Sequence, residues 1–272
     1  MHVVAETELI ERAKRGDRDA FAELYAPVER PLAAFLYRLV AERGDAEDLA
    51  QETAVAALEK IAEFPAASSF RIWIFRIAVE AALNHLRGEK QWDPDALIRA
   101  GESSTVLRKL QQIHGSALHT TYNIPEHIDF CFACMGRTLP PQEQATLLLS
   151  EVHRFTPEET AETLGISAPV LRFRLQQARE SLVEHYDSRC SLINKDGSCK
   201  QCVGLDTLLH GDRRHTEQAL FQIDLEQRAT VRERAGSFDA RLAIVRDIDP
   251  LHGEGAKLHD SLMNFTREVN GY

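Results

Sequence analysis

The stretch Thr156–Arg179, TPEETAETLGISAPVLRFRLQQAR, decides how the rest of the chain is read. Thr156-Pro157-Glu158-Glu159 has the form of a capping box with proline at the first helical position, so a helix starts there. Gly165 stops it after Leu164, and Ser167 caps a second helix that runs to Tyr186. The order is helix, tight turn, helix. On the second helix Leu171, Leu175, Ala178 and Leu182 recur at helical spacing and face inward, while Arg172, Gln176 and Arg179 share another face. Ser167–Arg179 holds three Arg and no Asp or Glu, a cationic rod suited to the DNA major groove. A helical hairpin with a solvated basic face is the plainer alternative.

Upstream, Leu139-Pro140-Pro141 opens a helix through Leu149 in a compact unit that begins near Ile128. Residues 88–125 mix Gly, Ser, Asp, His and Pro with weak periodicity and read as a linker with one or two short helices. Four helices precede it: Glu6–Tyr25, broken at Gly16-Asp17; Pro31–Ala41; a third N-capped by Asp45 and running to Phe64, where Pro65 ends it; and Phe70–Arg87. The last is apolar on nearly every side and is expected to be mostly buried. From Arg189 onward come a cysteine-bearing loop, a helix over Glu217–Arg234, and a tail with Leu258, Leu262 and Phe265 on one face. The expected fold is all-α: a four-helix module over residues 1–90, a linker over 91–127, a helix-turn-helix module over 128–188 and a mainly helical extension over 189–272.

The chain's 272 residues, 44% of them hydrophobic, suffice for two modest domains and an appendage. No run approaches the roughly 18 apolar residues of a membrane span, and Glu6, Glu8 and Glu11 occupy the place of a secretory signal's basic start, so no membrane partner and a cytoplasmic location are expected. The formal charge of -10 argues against nucleic-acid binding by the surface as a whole and leaves it to local clusters of Lys and Arg. With no phosphate-cradling glycine loop, no H-E-x-x-H and no G-x-S-x-G, an enzyme is not expected.

A second informative stretch is Gly44–Thr53, GDAEDLAQET. Ala50, Ala54, Ala57, Leu58 and Ile61 form an inward stripe, with Asp48, Glu52 and Glu59 opposite. Like charges at this spacing repel by a few tenths of a kcal/mol per pair unless a cation answers them. The residues alone admit either an acidic docking face or a solvated one.

Asp45–Thr53, then Phe70-Arg71-Ile72-Trp73-Ile74-Phe75-Arg76-Ile77-Ala78 and Leu86-Arg87, resemble the first module of bacterial extracytoplasmic-function sigma factors. Leu139-Pro140-Pro141, Glu159-Thr160-Ala161, Leu164-Gly165-Ile166-Ser167 and Arg174–Arg179 resemble the second. The likeness covers residues 6–90 and 128–187. It implies an RNA polymerase sigma factor that directs promoter-specific initiation, with Asp45, Asp48, Gln51 and Glu52 docking on the clamp helices of core RNA polymerase. Promoter DNA is the second implied partner, and an anti-sigma factor is admitted as a third. The loop Ala66–Ser69 and the helix from Phe70 would meet the upstream-melted promoter element, with Ser69, Phe70, Arg71, Trp73, Arg76, Asn84 and Arg87 at the single strand. Ser167, Ala168, Val170, Arg172, Arg174 and Arg179 would lie along the more distant element, phosphate contacts positioning the helix and one or two Arg selecting bases. The chain departs from the family at Glu80, Asn84 and Gln177, at Pro169 in the first turn of the recognition helix, and at Gly88–Asp93, where a basic string is usual. Each lost phosphate contact flattens the salt dependence of binding by about one unit of slope. The alternatives are a stand-alone metal- or redox-responsive helix-turn-helix regulator whose first module dimerises, and a polymerase-binding decoy.

The five cysteines argue for reduced thiols or metal ligands rather than a disulfide scaffold. Cys131-x-x-Cys134 and Cys199-x-x-Cys202 together supply four thiolates suited to tetrahedral zinc, which would clasp the ends of the second module. Packing of Cys131 and Cys134 in a helix, or oxidative pairing of Cys190 with Cys199, are the competing readings. On either reading that binds metal or senses oxidation, the extension regulates the two modules by folding back on them. His114, His119, His127, His185, His210 and His215 read as surface residues, with His185 or His210 able to replace a thiolate; Trp73 and Phe75 read by spacing as core.

Overall fold

The computed structural model describes residues 2–65, 68–102, 124–192, 194, 196–202 and 231–272. Eleven α-helices occupy most of them. Among the described residues β-structure is confined to an isolated parallel bridge between Cys190 and Cys199. Among the described residues no helix is long and apolar enough to cross a membrane.

The first module comprises α1 (His2–Lys14), α2 (Arg18–Val40), α3 (Arg43–Lys60) and α4 (Phe70–His85), with a single 3-10 turn at Ile61–Glu63. Asp17 starts α2 by accepting the backbone N–H groups of Asp19 and Ala20, both at 3.1 Å. The expected break between Tyr25 and Pro31 does not occur: α2 continues through Pro27 and Pro31. Both prolines are exposed and four residues apart, so the carbonyls deprived of N–H partners lie on the water-facing stripe and can be hydrated. In α3 the cap is Glu42, whose carboxylate accepts the Asp45 N–H, and Asp45 itself lies in the first turn. The buried stripe is Ala46, Leu49, Thr53 and Ala57; Leu58, expected inward, is 36% exposed. Ser69 caps α4, its hydroxyl accepting the Ile72 N–H at 3.3 Å. Phe70, Ile72, Ile74, Phe75, Ala78, Val79 and Ala82 bury most of that helix, as its composition requires.

The second module runs through α6 (Ile124–Gly136), α7 (Pro141–Leu147), a π turn at Leu148–Val152, α8 (Pro157–Leu164) and α9 (Ala168–Arg189). Both bonds of the capping box form: Thr156 N–H donates to Glu159 at 2.8 Å, and Glu159 N–H to Thr156 Oγ1 at 3.2 Å. Gly165 closes α8 at φ +62°, where any other residue would be strained.

The segment expected to be a linker contributes α5 (Ala96–Glu102), and the extension contributes α10 (Val231–Asp247) and α11 (Ala256–Asn270). The expected Glu217–Arg234 helix lies mainly outside the described residues. Leu258, Leu262 and Phe265 are buried, as their spacing indicates. Helix α10 packs on α6, α9 and the π turn, and α11 on α5 and α6. One apolar core therefore runs from Ile10 in α1 to Phe265 in α11. Arg38 of α2 lies at its centre. Its Nε donates to Asp129 of α6 at 2.8 Å, and its Nη2 to the carbonyls of Val245 at 3.0 Å and Ile248 at 2.8 Å.

Candidate polymerase and nucleic-acid interfaces

Asp48, Gln51 and Glu52 stand in water along α3. Val55, 57% exposed, and Leu58 continue the same face. The ridge therefore combines carboxylates with two uncovered apolar side chains, a composition that fits a protein partner better than bulk water. Sequence reasoning missed Val55 and placed Leu58 on the wrong side. Asp45 differs from the other three. It is half-buried, with Oδ2 3.3 Å from His85 Nε2 and 3.8 Å from Arg267 Nη2 of α11. Next to it Arg43 pairs with Asp260 of α11 and donates to the Leu251 carbonyl at 3.1 Å. The extension thus covers one end of the acidic ridge.

On α4 the side chains expected at single-stranded DNA divide into two groups. Phe70 is buried, edge-on to Phe21 with ring centres 5.9 Å apart, and Trp73 packs edge-on to Phe64 at 5.2 Å. Arg71 lies over the Phe155 ring at 3.9 Å and donates to the His153 carbonyl, so it bridges the two modules. Arg76, Asn84 and Arg87 are exposed and line a cleft of about 720 Å³ whose other wall includes Gln142, Thr163 and Gly165 of the second module. Ser69 is occupied as a cap, and Ser68 beside it donates to Glu162 at 2.7 Å. Ala66 and Ala67 lie outside the described residues. The polar stripe of α4 therefore faces the helix-turn-helix unit.

On α9, Ser167, Ala168, Val170 and Arg172 are exposed and Arg174 is half-exposed. Between the two arginines stands Phe173, 62% exposed and absent from the sequence-based set. An arginine on each side of an apolar residue in a candidate recognition helix was a signal available before folding. Arg179 is engaged inside the chain: it pairs with Glu151 and with Asp239 of α10, each at 2.6 Å, and lies 5.2 Å from the Phe238 ring centre.

The cysteines fall into a different grouping from the one their spacing indicated. Cys131 and Cys134 are buried in α6, and none of the five is in a disulfide. Cys134 turns to α11, its thiol 3.5 Å from Met263 Sδ. Cys131 instead borders a cavity of about 20 Å³ shared with Cys190, Cys199 and Cys202. Among the described residues no three His, Cys, Asp or Glu side chains stand together in metal-binding geometry. Burial raises the thiol pKa of Cys131, Cys134 and Cys202 by penalising the thiolate. His127, expected at the surface, is 1% exposed and packs on Phe130 and His259 with ring centres 5.2 and 5.5 Å away. His185 is half-buried, and the other four histidines named above lie outside the described residues.

Two curated relatives are similar over more than half of the chain. RNA polymerase sigma-H factor of Pseudomonas aeruginosa is 26% identical over 180 residues, covering 64% of this chain and 90% of that protein. ECF RNA polymerase sigma factor SigG of Mycobacterium tuberculosis is 30% identical over 182 residues, covering 62% of this chain and 48% of that one. A solved structure of CnrH in complex with the cytosolic domain of CnrY superposes with a TM-score of 0.49 at 21% identity, over 67% of this chain and 97% of that one. The Sigma-70 region 2 family model matches residues 24–92, and the Sigma-70, region 4 model matches residues 130–182. The chain thus carries matches to both Sigma-70 regions and is similar to extracytoplasmic-function sigma factors. The region 2 match runs from Leu24 in α2 through α4, and the region 4 match from Phe130 in α6 through most of α9. Helices α10 and α11 lie beyond both matched ranges.

Proposed function

We propose that this sigma factor gives core RNA polymerase its promoter preference, and that the arrangement described above is a closed form held by α10 and α11. The α3 ridge, with Asp48, Gln51, Glu52, Val55 and Leu58, is the polymerase-docking face, and Asp45 joins it when Arg267 withdraws. Arg76, Asn84 and Arg87 serve the melted promoter strand, and Ser167, Ala168, Val170, Arg172, Phe173 and Arg174 the distant element. The observation that carries closure is the seating of Arg38 on both Asp129 and the C-terminal end of α10. Two promoter elements set apart along DNA require their readers to stand apart, whereas here α4 and α8 are in contact. An anti-sigma factor would meet the part of the α3 ridge that α11 leaves open.

Capture of core RNA polymerase by the full chain tests the docking face. Asp48→Lys with Glu52→Lys is expected to abolish capture, and undiminished capture would overturn the assignment. Closure is tested by Asp239→Arg with Asp260→Arg, which sets like charges against Arg179 and Arg43. Promoter-directed initiation in a reconstituted reaction should rise; initiation equal to that of the native chain refutes the latch.

A further inference from the structure

The cavity of about 20 Å³ beside α6 collects four of the five thiols from three separate parts of the chain. That volume holds one water-sized body. Cys131 comes from α6, Cys190 from the end of α9, and Cys199 and Cys202 from the loop that returns behind it. Two backbone hydrogen bonds join Cys199 to the end of α9. Ser191 N–H donates to the Cys199 carbonyl at 3.1 Å and Cys199 N–H to the Arg189 carbonyl at 2.8 Å, which makes the parallel bridge of Cys190 with Cys199. Gly197 permits it, because a β-carbon there would stand 2.7 Å from the Cys190 carbonyl carbon.

A second observation points to a charged occupant. Arg241 of α10 enters the same cavity with 2% of its surface exposed. Its Nη2 is 3.5 Å from Cys190 Sγ, its guanidinium carbon is 4.2 Å from the Tyr186 ring centre, and its Nε has no hydrogen-bond partner among the described residues. No carboxylate pairs with it among the described residues, although arginine cannot shed its proton and a buried unpaired cation is costly. A divalent cation held by four thiolates is a net anion and would answer that charge.

We propose that Cys131, Cys190, Cys199 and Cys202 bind one soft, thiolate-preferring cation of the zinc class, with Arg241 as its charge-compensating neighbour. Four sulfurs with no oxygen ligand suit tetrahedral coordination by such an ion. Ligation needs the thiols to turn inward about the Cα–Cβ bond, a rotation between staggered wells for an unbranched side chain, and each thiol gives its proton to the surrounding buffer. The site ties α10 to α6 and α9, and in that respect alone it builds on the closed form proposed above. Cys134 has no part in it.

The test is titration of the reduced full chain with cobalt(II), followed by zinc(II) competition. One cobalt per chain is expected, with the visible bands of a tetrahedral thiolate site, which zinc abolishes. Cys190→Ser and Cys199→Ser should each lose those bands, Cys134→Ser should keep them, and Arg241→Gln should weaken binding by about 10-fold or more. Cys199 is only partly buried, so its variant keeps the test readable if replacement of a deeper cysteine lowers the helical circular dichroism. The proposal is overturned if the reduced chain gives no thiolate–cobalt spectrum, if an oxidant merely joins Cys190 to Cys199, or if Cys134→Ser abolishes the bands that Cys190→Ser preserves. None of these readouts involves polymerase or promoter, so failure here is distinct from failure of the sigma-factor reading.

Discussion

Arg38 and Asp129 form an ion pair of 2.8 Å in which each side chain is only 2% exposed, although the two residues belong to different helical modules. Burial raises the pKa of Asp129 and Arg38 opposes that rise, so the carboxylate depends on its partner. Removing one member of such a pair leaves a stranded charge. Asp129→Asn is expected to destabilise the chain by about 3–5 kcal/mol, read from the midpoint of urea unfolding. A change of less than about 1 kcal/mol would show that the pair does not join the two modules energetically.

Arg172 and Arg179 lie on one helix and should behave differently. Arg172→Ala removes a water-facing cation and should reduce the slope of log affinity against log salt by about one unit for promoter DNA bound by the holoenzyme. Arg179→Ala removes the ion pairs with Glu151 and Asp239 and should leave that slope unchanged while lowering the stability of the closed chain. Equal slope changes in the two variants would contradict the assignment.

Phe173 is too exposed to contribute much to folding. Phe173→Ala should alter unfolding free energy by no more than about 0.5 kcal/mol. At the same time it should weaken discrimination at one position of the distant promoter element, because an aromatic side chain in the major groove reads the thymine methyl by apolar contact. Selection from a randomised promoter library reads that loss directly, and an unchanged preference rules the contact out.

Acid should destabilise the fold through His259. Burial drives its pKa from 6.5 down to about 4, so the folded form keeps it neutral where the unfolded form is protonated. The stability this histidine contributes is fully present above pH 6.5 and is lost as pH falls towards about 4. The slope is about 1.4 kcal/mol per pH unit for the one proton. His259→Phe should flatten stability against pH across that window, and an unaltered profile would count against a neutral buried imidazole.

The capping box at Thr156, the stop at Gly165 and the apolar surround of α4 were legible in the sequence because each is a local rule satisfied within one or two turns. The continuity of α2 through Pro27 and Pro31 was not, since it depends on which side of the helix faces water. Nor was the outward turn of Leu58: Leu49 and Thr53 fill the inner stripe, and that choice belongs to the packing against α2 and α4. The motif-based cysteine set differs by one member from the four thiols that border one cavity, for a similar reason. Cys131 and Cys134 are separated by most of a helical turn, enough to send one towards Met263 and the other towards Cys190. Arg179 was read from its own helix alone, whereas Asp239 reaches it from sixty residues downstream.

The inner side of α11, with Leu258, Leu262, Met263 and Phe265, has a consequence for how release proceeds. Detaching that helix would wet a greasy strip at a cost of several kcal/mol, so the open form that the proposed function requires would be scarce and short-lived on its own. On the proposed latch, activation would be set by how fast a receptor seizes that rare species. On that reading abundance of polymerase, as much as any stimulus, would govern how often the gene-reading surfaces come apart.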